Sequence, residues 1–430
     1  WVSWNGRQAV LFDLIQRKFY IFGIVLWPQD VIYLTLLLIL SALALFLFTA
    51  IAGRLFCGYA CPQTVYTEIF MWIERKVEGD RFARIRLDGE EWPWGFRKWR
   101  LKITKHFLWL LIAFWTGFTF IGYFTPITTL GSALIHLSLG PWQTFWLCFY
   151  AFATWGNAGF MREQVCKYMC PYARFQSVMV DKDTFLVTYD KVRGEPRGSR
   201  SKSADHESLG LGDCVDCSIC VQVCPTGIDI RDGLQYMCIG CGACIDACDQ
   251  VMEKVDYPKG LIRYTTERAI EDRESNQSAI RHILRPRVLI YTAFITVLTA
   301  AFLVSLATRN PLRVDVMRDR GALAREVEGV RIENIYRIQI MNASENNMNV
   351  QVKALGLDGL KVLNSQGQVV TEIEVAPASN LLMPIKVSTE TGVNQPGNYP
   401  IHFDVIAREM SGNEIITRTR DEKSTFIIPR

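Results

Sequence analysis

The feature that most constrains this chain is a run of eight cysteines between positions 214 and 248. The run contains two copies of the spacing C-x2-C-x2-C-x3-C. This spacing is typical of segments that hold two [4Fe-4S] clusters, because three close thiolates bind one cluster and the fourth binds the other. Zinc sites and disulfide frameworks are the alternatives, but neither needs two identical sets of four cysteines.

The crossed pairing predicts which cysteines bind each cluster. Quartet A comprises Cys214, Cys217, Cys220 and Cys248. Quartet B comprises Cys238, Cys241, Cys244 and Cys224. Gly240 and Gly242 lie within the second copy, where the lack of a side chain lets backbone amides approach the sulfurs of a cluster. The chain is therefore expected to carry two [4Fe-4S] clusters.

The composition indicates a membrane protein. Half of the 430 residues are hydrophobic, and the formal net charge is +4. The basic residues flank apolar segments and form no separate basic face, so no nucleic-acid partner is expected. The chain has 13 cysteines and no short secreted frame, which favours metal chemistry in a reducing compartment over disulfides.

Four apolar stretches predict spans across the lipid bilayer. They lie near residues 31–52, 107–124, 142–160 and 288–307. Basic residues, beginning with Arg54, crowd the loop after the first stretch, and the positive-inside rule places that loop in the cytoplasm. Alternation of the spans then places the eight-cysteine run in the cytoplasm and the C-terminal part of the chain in the periplasm.

Composition and periodicity predict the remaining boundaries. Residues 1–190 form the membrane region, 191–212 a polar, flexible linker, 213–260 the ferredoxin-like domain, 261–287 a cytoplasmic connector and 330–430 a last domain. The last domain alternates apolar and polar residues between turns, which predicts an immunoglobulin-like β-sandwich. The first 30 residues are rich in Trp and are expected at the headgroup level of the membrane. Because the chain starts with Trp1, a further helix is expected upstream.

A second pair of cysteine motifs follows the first and third predicted spans. The first motif is Cys57–Cys61 and the second is Cys166–Cys170, and each has the pattern C-x-Y-x-C-P. Pro favours the first position of a helix, so Cys61 and Cys170 are expected at helix N-caps, where the helix dipole lowers the pKa of a thiol. If the two motifs pack together, their four thiols meet beside the ferredoxin-like domain.

These four thiols allow several interpretations. The simplest is that they are small buried groups at helix ends. Soft thiolates also suit Cu(I), zinc or an iron–sulfur cluster, and a dithiol/disulfide relay is the nearest rival. Cys148 stands alone in the third predicted span and is interpreted as a packing residue. The chain has no phosphate loop, dinucleotide fingerprint or Ser/His/Asp signature, so an electron or a metal is favoured over an organic substrate.

The combination of motifs resembles the cytochrome c oxidase accessory protein family CcoG, also called FixG or RdxA. The resemblance covers essentially the whole chain. It is carried by W-N-G-R-Q-A-V-L-F-D-L, W-P-Q-D, G-R-L-F-C-G-Y-A-C-P-Q-T-V, the duplicated C-x3-C-P, the eight-cysteine run and the terminal sandwich. The second copy of the run ends in Cys248-Asp249, where Pro is usual, which could alter that turn without removing a ligand.

The resemblance implies a multi-pass α-helical protein of the bacterial inner membrane, with an inserted ferredoxin-like 2[4Fe-4S] domain and a C-terminal immunoglobulin-like β-sandwich. It implies a cupric reductase that serves assembly of a haem–copper cytochrome c oxidase. Its partners would be a copper-exporting P-type ATPase and oxidase assembly factors, and a homodimer is left open. The implied copper thiols are Cys57, Cys61, Cys166 and Cys170.

Two other functions stay open at this point. A quinol dehydrogenase-type subunit would use similar motifs to pass electrons from a quinol to the clusters. A non-enzymatic assembly scaffold would use the sandwich to dock the oxidase, with the clusters stabilising the fold. The sequence does not identify the electron donor.

Overall fold

The computed structural model of this protein describes residues 1–201, 209–272, 285–319, 324–327, 331–391, 394–411 and 414–429. The described chain divides into two compact units. One unit comprises residues 1–32, 122–132 and 303–430, and the other comprises residues 33–121 and 133–302.

The N-terminal residues form short antiparallel strands. These are β1 (Ser3–Trp4), β2 (Arg7–Gln8), β3 (Val10–Asp13), β4 (Lys18–Ile21) and β5 (Ile24–Leu26). Strand β1 pairs with β2, and β3, β4 and β5 form a second sheet in that order. The carboxylate of Glu345 accepts hydrogen bonds from Arg7 at 2.6 Å and from the indole of Trp4 at 3.1 Å. The placement of residues 1–30 at the headgroup level stays a prediction, and the structure adds that Trp4 lies in a short folded strand and is bonded to Glu345.

The central part of the chain is helical. The helices are α1 (Val31–Ala52), α2 (Leu55–Tyr59), α3 (Pro62–Glu78), α4 (Arg81–Asp88), α5 (Phe96–Ile121), α6 (Ile127–Ile135), α7 (Pro141–Gly156) and α8 (Pro171–Met179). Within the described ranges, three helices are long and apolar enough to cross a membrane, namely Pro28–Ala52, Phe96–Ile121 and Pro286–Ala307. They cover the first, second and fourth predicted spans.

The third predicted span, 142–160, takes a different form. Helix α7 has 16 residues, and π-helical turns follow over Asn157–Met161 and Val165–Met169. The first turn brings Gly159 against the ring of Trp109, where a Cβ would lie 3.0 Å from ring carbons. This close approach accompanies the change in helical pitch, and α7 alone is shorter than the three candidate spans.

The ferredoxin-like domain contains short elements around a small core. They are β6 (Leu186–Tyr189), α9 (Lys191–Gly194), α10 (Ile219–Gln222), α11 (Ala243–Val255), β7 (Ile262–Thr265) and α12 (Glu267–Glu271). Strands β6 and β7 pair antiparallel. The buried side chains of Val187, Met252 and Ile262 pack with the cysteines of the domain. Residues 273–284 of the predicted connector lie outside the described residues.

The predicted flexible linker, 191–212, is wrong for much of its described part. Arg193 forms an ion pair with Asp213 and donates to the carbonyl of Pro258. A polar composition without apolar periodicity predicted an unpacked segment, but arginine side chains can fix a segment through carboxylates and carbonyls. Residues 202–208 of this prediction lie outside the described residues.

The last helix and the sandwich complete the chain. Helix α13 (Pro286–Ala307) precedes β8 (Leu312–Arg318), β9 (Arg325–Val327), β10 (Arg331–Asn342), β11 (Met348–Leu355), β12 (Lys361–Leu363), β13 (Ile373–Val375), β14 (Asn380–Glu390), β15 (Gly397–Ser411) and β16 (Glu414–Ile428). One sheet has the order β12-β14-β10-β8, with β9 beside β10, and the other has the order β13-β11-β15-β16.

The β-sandwich that the alternation of apolar and polar residues predicted is present in the structure. The buried rings of Tyr336 and Phe403, from opposite sheets, lie 5.1 Å apart between centroids in its core. The four alternating segments that suggested strands fall within β10, β11, β14 and β15. The first strand begins at Leu312, ahead of the predicted boundary at 330.

Candidate functional site

Quartet A lines one cavity of the ferredoxin-like domain. Its four cysteines share this cavity with the side chains of Tyr189 and Met252. Cys248 comes from α11, whereas the other three come from α10 and the loop before it. Burial, together with the charges of the three other thiols, raises the pKa of the Cys248 thiol to about 12. Such a group of thiols ionises readily only beside a cation, which iron supplies.

The thiols of quartet B, like those of quartet A, are affected by burial and by one another. Burial, together with the charges of the thiols of its three quartet partners, raises the pKa of Cys244 to about 12. The amide of Gly240 donates to the sulfur of Cys238 at 3.4 Å. Gly240 has φ +69° and Gly242 has φ +77°, a left-handed region that favours glycine. The two glycines therefore shape a loop whose amide can approach a cluster ligand.

Both quartets fit a cubane cluster better than a single ion. Across the part of the chain that the structure describes, no group of three or more His, Cys, Asp or Glu side chains could hold one metal ion. Zinc requires four ligands within about 2.0–2.3 Å of one point. A cubane is larger and is held by four cysteines. Two sets of four thiols therefore match the ligand set of two clusters.

The two C-x3-C-P motifs place their second cysteines at helix ends. Cys61 is the N-cap of α3, which begins at Pro62. Cys170 is the N-cap of α8, which begins at Pro171. Both N-cap predictions are thereby confirmed.

The structure brings the two motifs together into one set of thiols. Burial raises the pKa of Cys57 and of Cys166, the charges of Cys61 and Cys170 act in the same direction, and the pKa of each of the two thiols is about 11. Arg54 acts in the opposite direction on both. We call Cys57, Cys61, Cys166 and Cys170 the four-thiol set. Cys148 lies apart from it, exposed on α7.

Arg54 lies between the four-thiol set and quartet B. Its side chain is 7% exposed, and it donates to the carbonyl of Cys238 at 3.0 Å and to the carbonyl of Tyr236. It also donates to the carbonyl of Ala173 in α8. Burial lowers the pKa of Arg54, while Cys57 and Cys238 are the thiols that most strongly raise it. The sequence suggested only a role in membrane orientation for this residue.

The first motif packs directly on the loop of quartet B. A Cβ at Gly58 would lie 3.0 Å from the carbonyl oxygen of Gly240 and 3.1 Å from the Cα of Cys241. The hydroxyl of Tyr59 donates to the carbonyl of Cys241 at 2.9 Å. The hydroxyl of Tyr264 donates to the carbonyl of Gly240. The backbone between Cys57 and Cys61 is thus in van der Waals contact with the predicted cluster loop.

The second motif contacts the first through α8 and α3. The Cys57 thiol donates to the side-chain oxygen of Gln176, a fully buried residue of α8, at 3.3 Å. Gln63 of α3 donates to the carbonyl of Arg162 at 3.1 Å. Arg162 has φ +43° and binds the buried carboxylate of Glu74 at 3.1 Å. Sequence patterns gave no signal for these contacts, because the partners are far apart in the chain.

A cavity opens beside quartet B. Its lining includes Ala52 at the end of α1, Leu55, Leu186, Tyr236, Cys238 and Tyr264. Most of these side chains are apolar, and Cys238 belongs to quartet B. The cavity could hold a small amphipathic molecule next to a predicted cluster ligand.

Three family sequence models match the chain. A 4Fe-4S dicluster domain covers residues 161–267, and a 4Fe-4S binding domain covers residues 34–78. The third model, the IG-like fold at the C-terminal of FixG, covers residues 302–429. The iron–sulfur and immunoglobulin-like parts of the predicted fold are therefore confirmed, and the second model includes the first C-x3-C-P motif.

Three curated relatives align over most of the chain. Protein RdxB of Cereibacter sphaeroides is 41% identical over 392 residues, which are 89% of this chain and 80% of RdxB. Protein RdxA of the same organism is 36% identical over 91% of this chain and 83% of RdxA. The nitrogen fixation protein FixG of Rhizobium meliloti is 35% identical over 96% of this chain and 85% of FixG.

Proposed function

The chain belongs to the FixG and RdxA family of iron–sulfur electron-transfer proteins, and from this premise we propose that it reduces Cu(II) to Cu(I) at the four-thiol set. Quartets A and B would hold the two [4Fe-4S] clusters. One observation carries the proposal. Gly58 and Tyr59, which lie between two of the four thiols, contact the backbone of quartet B.

The chemistry of the thiols suits this reaction. The clusters, when bound, supply one-electron transfer. Cu(II) gains one electron and becomes Cu(I), the state that soft thiolate ligands stabilise. Cys57 and Cys166, whose pKa values are about 11, release their protons when copper binds, so copper uptake should be accompanied by proton release.

The cellular setting follows from the same reading. The protein spans the bacterial inner membrane, with the ferredoxin-like domain on the cytoplasmic side and the sandwich on the periplasmic side. Reduced copper passes to a copper-exporting P-type ATPase and to the factors that assemble a haem–copper cytochrome c oxidase. Both statements can be tested by accessibility labelling of cysteines introduced into the sandwich and by co-purification.

The decisive experiment compares thiol variants with a matched cysteine control. The full chain is purified without oxygen, analysed for iron and sulfide, reduced with dithionite and mixed with Cu(II) under electron paramagnetic resonance. Cys57→Ser/Cys61→Ser should retain iron but fail to convert Cu(II) into silent Cu(I). Cys148→Ser should behave as the parent protein.

Two outcomes would overturn the copper assignment. If the double variant still reduces Cu(II) at the parent rate, the four-thiol set is not the site of reduction. If it loses iron together with copper reduction, its thiols support the fold or a cluster.

The cavity beside Cys238 favours a second candidate, oxidation of a membrane quinol. Its lining is mainly apolar but includes Arg54, and it extends from Ala52, the last residue of a candidate span, to a predicted cluster ligand. A quinol gives up two electrons and two protons; the clusters held by the two quartets would accept one electron each, and the protons would pass to solvent. Adding a quinol to oxidised protein should then bleach the cluster absorbance, whereas unchanged absorbance would remove this candidate.

A further inference from the structure

Each quartet has one buried arginine beside it. Arg54 lies next to quartet B, through its contacts with Tyr236 and Cys238, and is 7% exposed. Arg231 lies next to quartet A, close enough to Cys220 for their charges to interact, and is 9% exposed. The two arginines are therefore similar in burial and in closeness to a predicted cluster.

Their charges are compensated very differently. Arg231 forms ion pairs with Asp216 and with Asp229, each at 2.6 Å. Arg54 donates to backbone carbonyls, and no carboxylate among the described residues pairs with it. Arg200, which donates to the carbonyl of Cys214, and Asp249, whose charge acts on Cys248, also lie beside quartet A. Beside quartet B, the negative charge of Glu68 acts on Cys241. The local charge is thus more negative beside quartet A, where three carboxylates face two arginines, than beside quartet B, where one carboxylate faces Arg54.

A nearby positive charge stabilises the reduced state of a cluster. Reduction adds one negative charge, and the reduction potential of an iron–sulfur cluster depends on local charge, hydrogen bonds and solvent exposure. A buried charge acts strongly because the surrounding medium screens it less than water does. Arg54 should therefore raise the potential of a cluster in quartet B, whereas the carboxylates around Arg231 should lower the potential in quartet A.

We infer that Arg54 sets the direction of electron flow in this protein, by making quartet B the site of higher potential. With clusters bound, one electron would move from the cluster held by quartet A to the cluster held by quartet B, with no bond formed or broken and no proton transferred. Quartet B is also the quartet that contacts the first C-x3-C-P motif. The electron is thus held where the proposed copper reduction requires it.

This inference deepens the proposed function, but it needs only the two clusters. A protein that fails to reduce copper could still show the difference in potential, so the two ideas fail separately. The difference is measured by redox titration of the full-length, cluster-loaded protein in detergent, followed by electron paramagnetic resonance. Cys217→Ser and Cys241→Ser assign each signal to quartet A or quartet B.

Substitutions that remove or keep the charge test the role of Arg54. In the parent protein, quartet B should be reduced first. Arg54→Gln should make the midpoint potential of the cluster in quartet B more negative by about 59 mV. For one electron, this shift is a tenfold change in the reduction equilibrium. The midpoint of quartet A should stay in place. Arg54→Lys, which keeps the positive charge, should shift quartet B much less.

Asp216→Asn provides an independent measurement at the other quartet. It removes one negative charge beside quartet A and should raise that midpoint without moving quartet B. This variant keeps the inference testable if Arg54→Gln does not fold. The inference is overturned if quartet A has the higher midpoint in the parent protein, if Arg54→Gln shifts both midpoints equally or neither, or if Asp216→Asn leaves quartet A unchanged.

Discussion

In the first C-x3-C-P motif the residue after the leading cysteine is Gly58, which lies against the backbone of Gly240 and Cys241. In the second motif the equivalent residue is Lys167, whose long side chain could not occupy such a contact. The next residue is tyrosine in both motifs. Tyr59 bonds to the quartet B loop, whereas Tyr168 is 76% exposed.

The backbones of the two motifs differ as well. The first motif starts in a short α-helix and leads into α3, which has 17 residues. The second motif lies on a π-helical turn and leads into α8, which has 9 residues. A shared sequence pattern thus supplies four thiols, but the two motifs meet the loop of quartet B differently. Among the described residues, Gly58 and Tyr59 of the first motif contact its backbone, whereas Cys166 of the second motif lines a small cavity together with Ile239. We expect electrons to reach the four-thiol set through the first motif.

The largest expected effect comes from filling the contact at Gly58. Gly58→Val would place atoms within about 3 Å of backbone that cannot move aside, and strain of about 1–3 kcal/mol should separate the motif from the loop. Copper reduction should slow by roughly 10- to 100-fold, since each 1.4 kcal/mol is about tenfold. Stopped-flow measurement of Cu(I) formation, with iron content determined in parallel, checks this.

Lys167→Val is the matched control, because it changes the equivalent residue of the second motif. It should keep the parent rate. Equal slowing in both variants would show that the two motifs are functionally alike and would break the comparison.

A smaller effect is expected when Arg162, which precedes the second motif, is replaced. Arg162→Ala removes the ion pair with Glu74, which keeps Lys105 and Arg84 as partners. Loss of this charged contact should cost about 2 kcal/mol of unfolding free energy. Thermal unfolding followed by circular dichroism measures it, and Arg162→Lys should recover part of the loss. An unchanged melting temperature would mean that Arg162 does not stabilise the π-helical turn of the second motif.

Replacing the tyrosines of the two motifs, Tyr59 and Tyr168, should give a smaller difference in unfolding free energy. Tyr59→Phe removes one hydrogen bond to Cys241 on a partly exposed surface, which should cost about 0.5–1 kcal/mol. Tyr168→Phe removes a hydroxyl from an exposed ring and should cost nothing measurable. Chemical unfolding of both variants side by side would sharpen the comparison, and it would contradict it if Tyr168→Phe were the more damaging.

The smallest effect is expected at the cysteine outside all three sets. Cys148→Ser changes an exposed side chain of α7. Iron content, sulfide content and copper reduction should match those of the parent protein. A loss of iron in this variant would add a thirteenth cysteine to the metal chemistry and would require a different ligand assignment.

Local patterns predicted a large part of the fold. The strands β10, β11, β14 and β15 followed from strict alternation, which places every second side chain on one face of a sheet. The long apolar helices at the first, second and fourth predicted spans followed from unbroken apolar length. The N-caps at Cys61 and Cys170 followed from the Pro after each cysteine. All of these features depend on residues within a few positions of one another.

Other features were not predicted, because the same residue types occur in more than one environment. Nothing in the sequence linked Trp4 to Glu345, whose carboxylate accepts a hydrogen bond from its indole. The arginine-rich stretch around Arg193 suggested an unpacked linker, but this side chain is bonded to the ferredoxin-like domain. Arginine and tryptophan have both apolar and polar parts, so their type alone does not decide whether they face water, lipid or protein.

The sequence by itself determined the ligand chemistry, since the spacing of the cysteines and of the C-x3-C-P motifs is a property of neighbouring residues. Only the tertiary structure decided which motif meets which quartet. Arg54 and Cys238 are separated by 184 positions, yet they are joined by a 3.0 Å hydrogen bond. Such a contact depends on the packing of α1, α2 and the quartet B loop together. No local pattern encodes it, because its energy comes from burying groups that are distant along the chain.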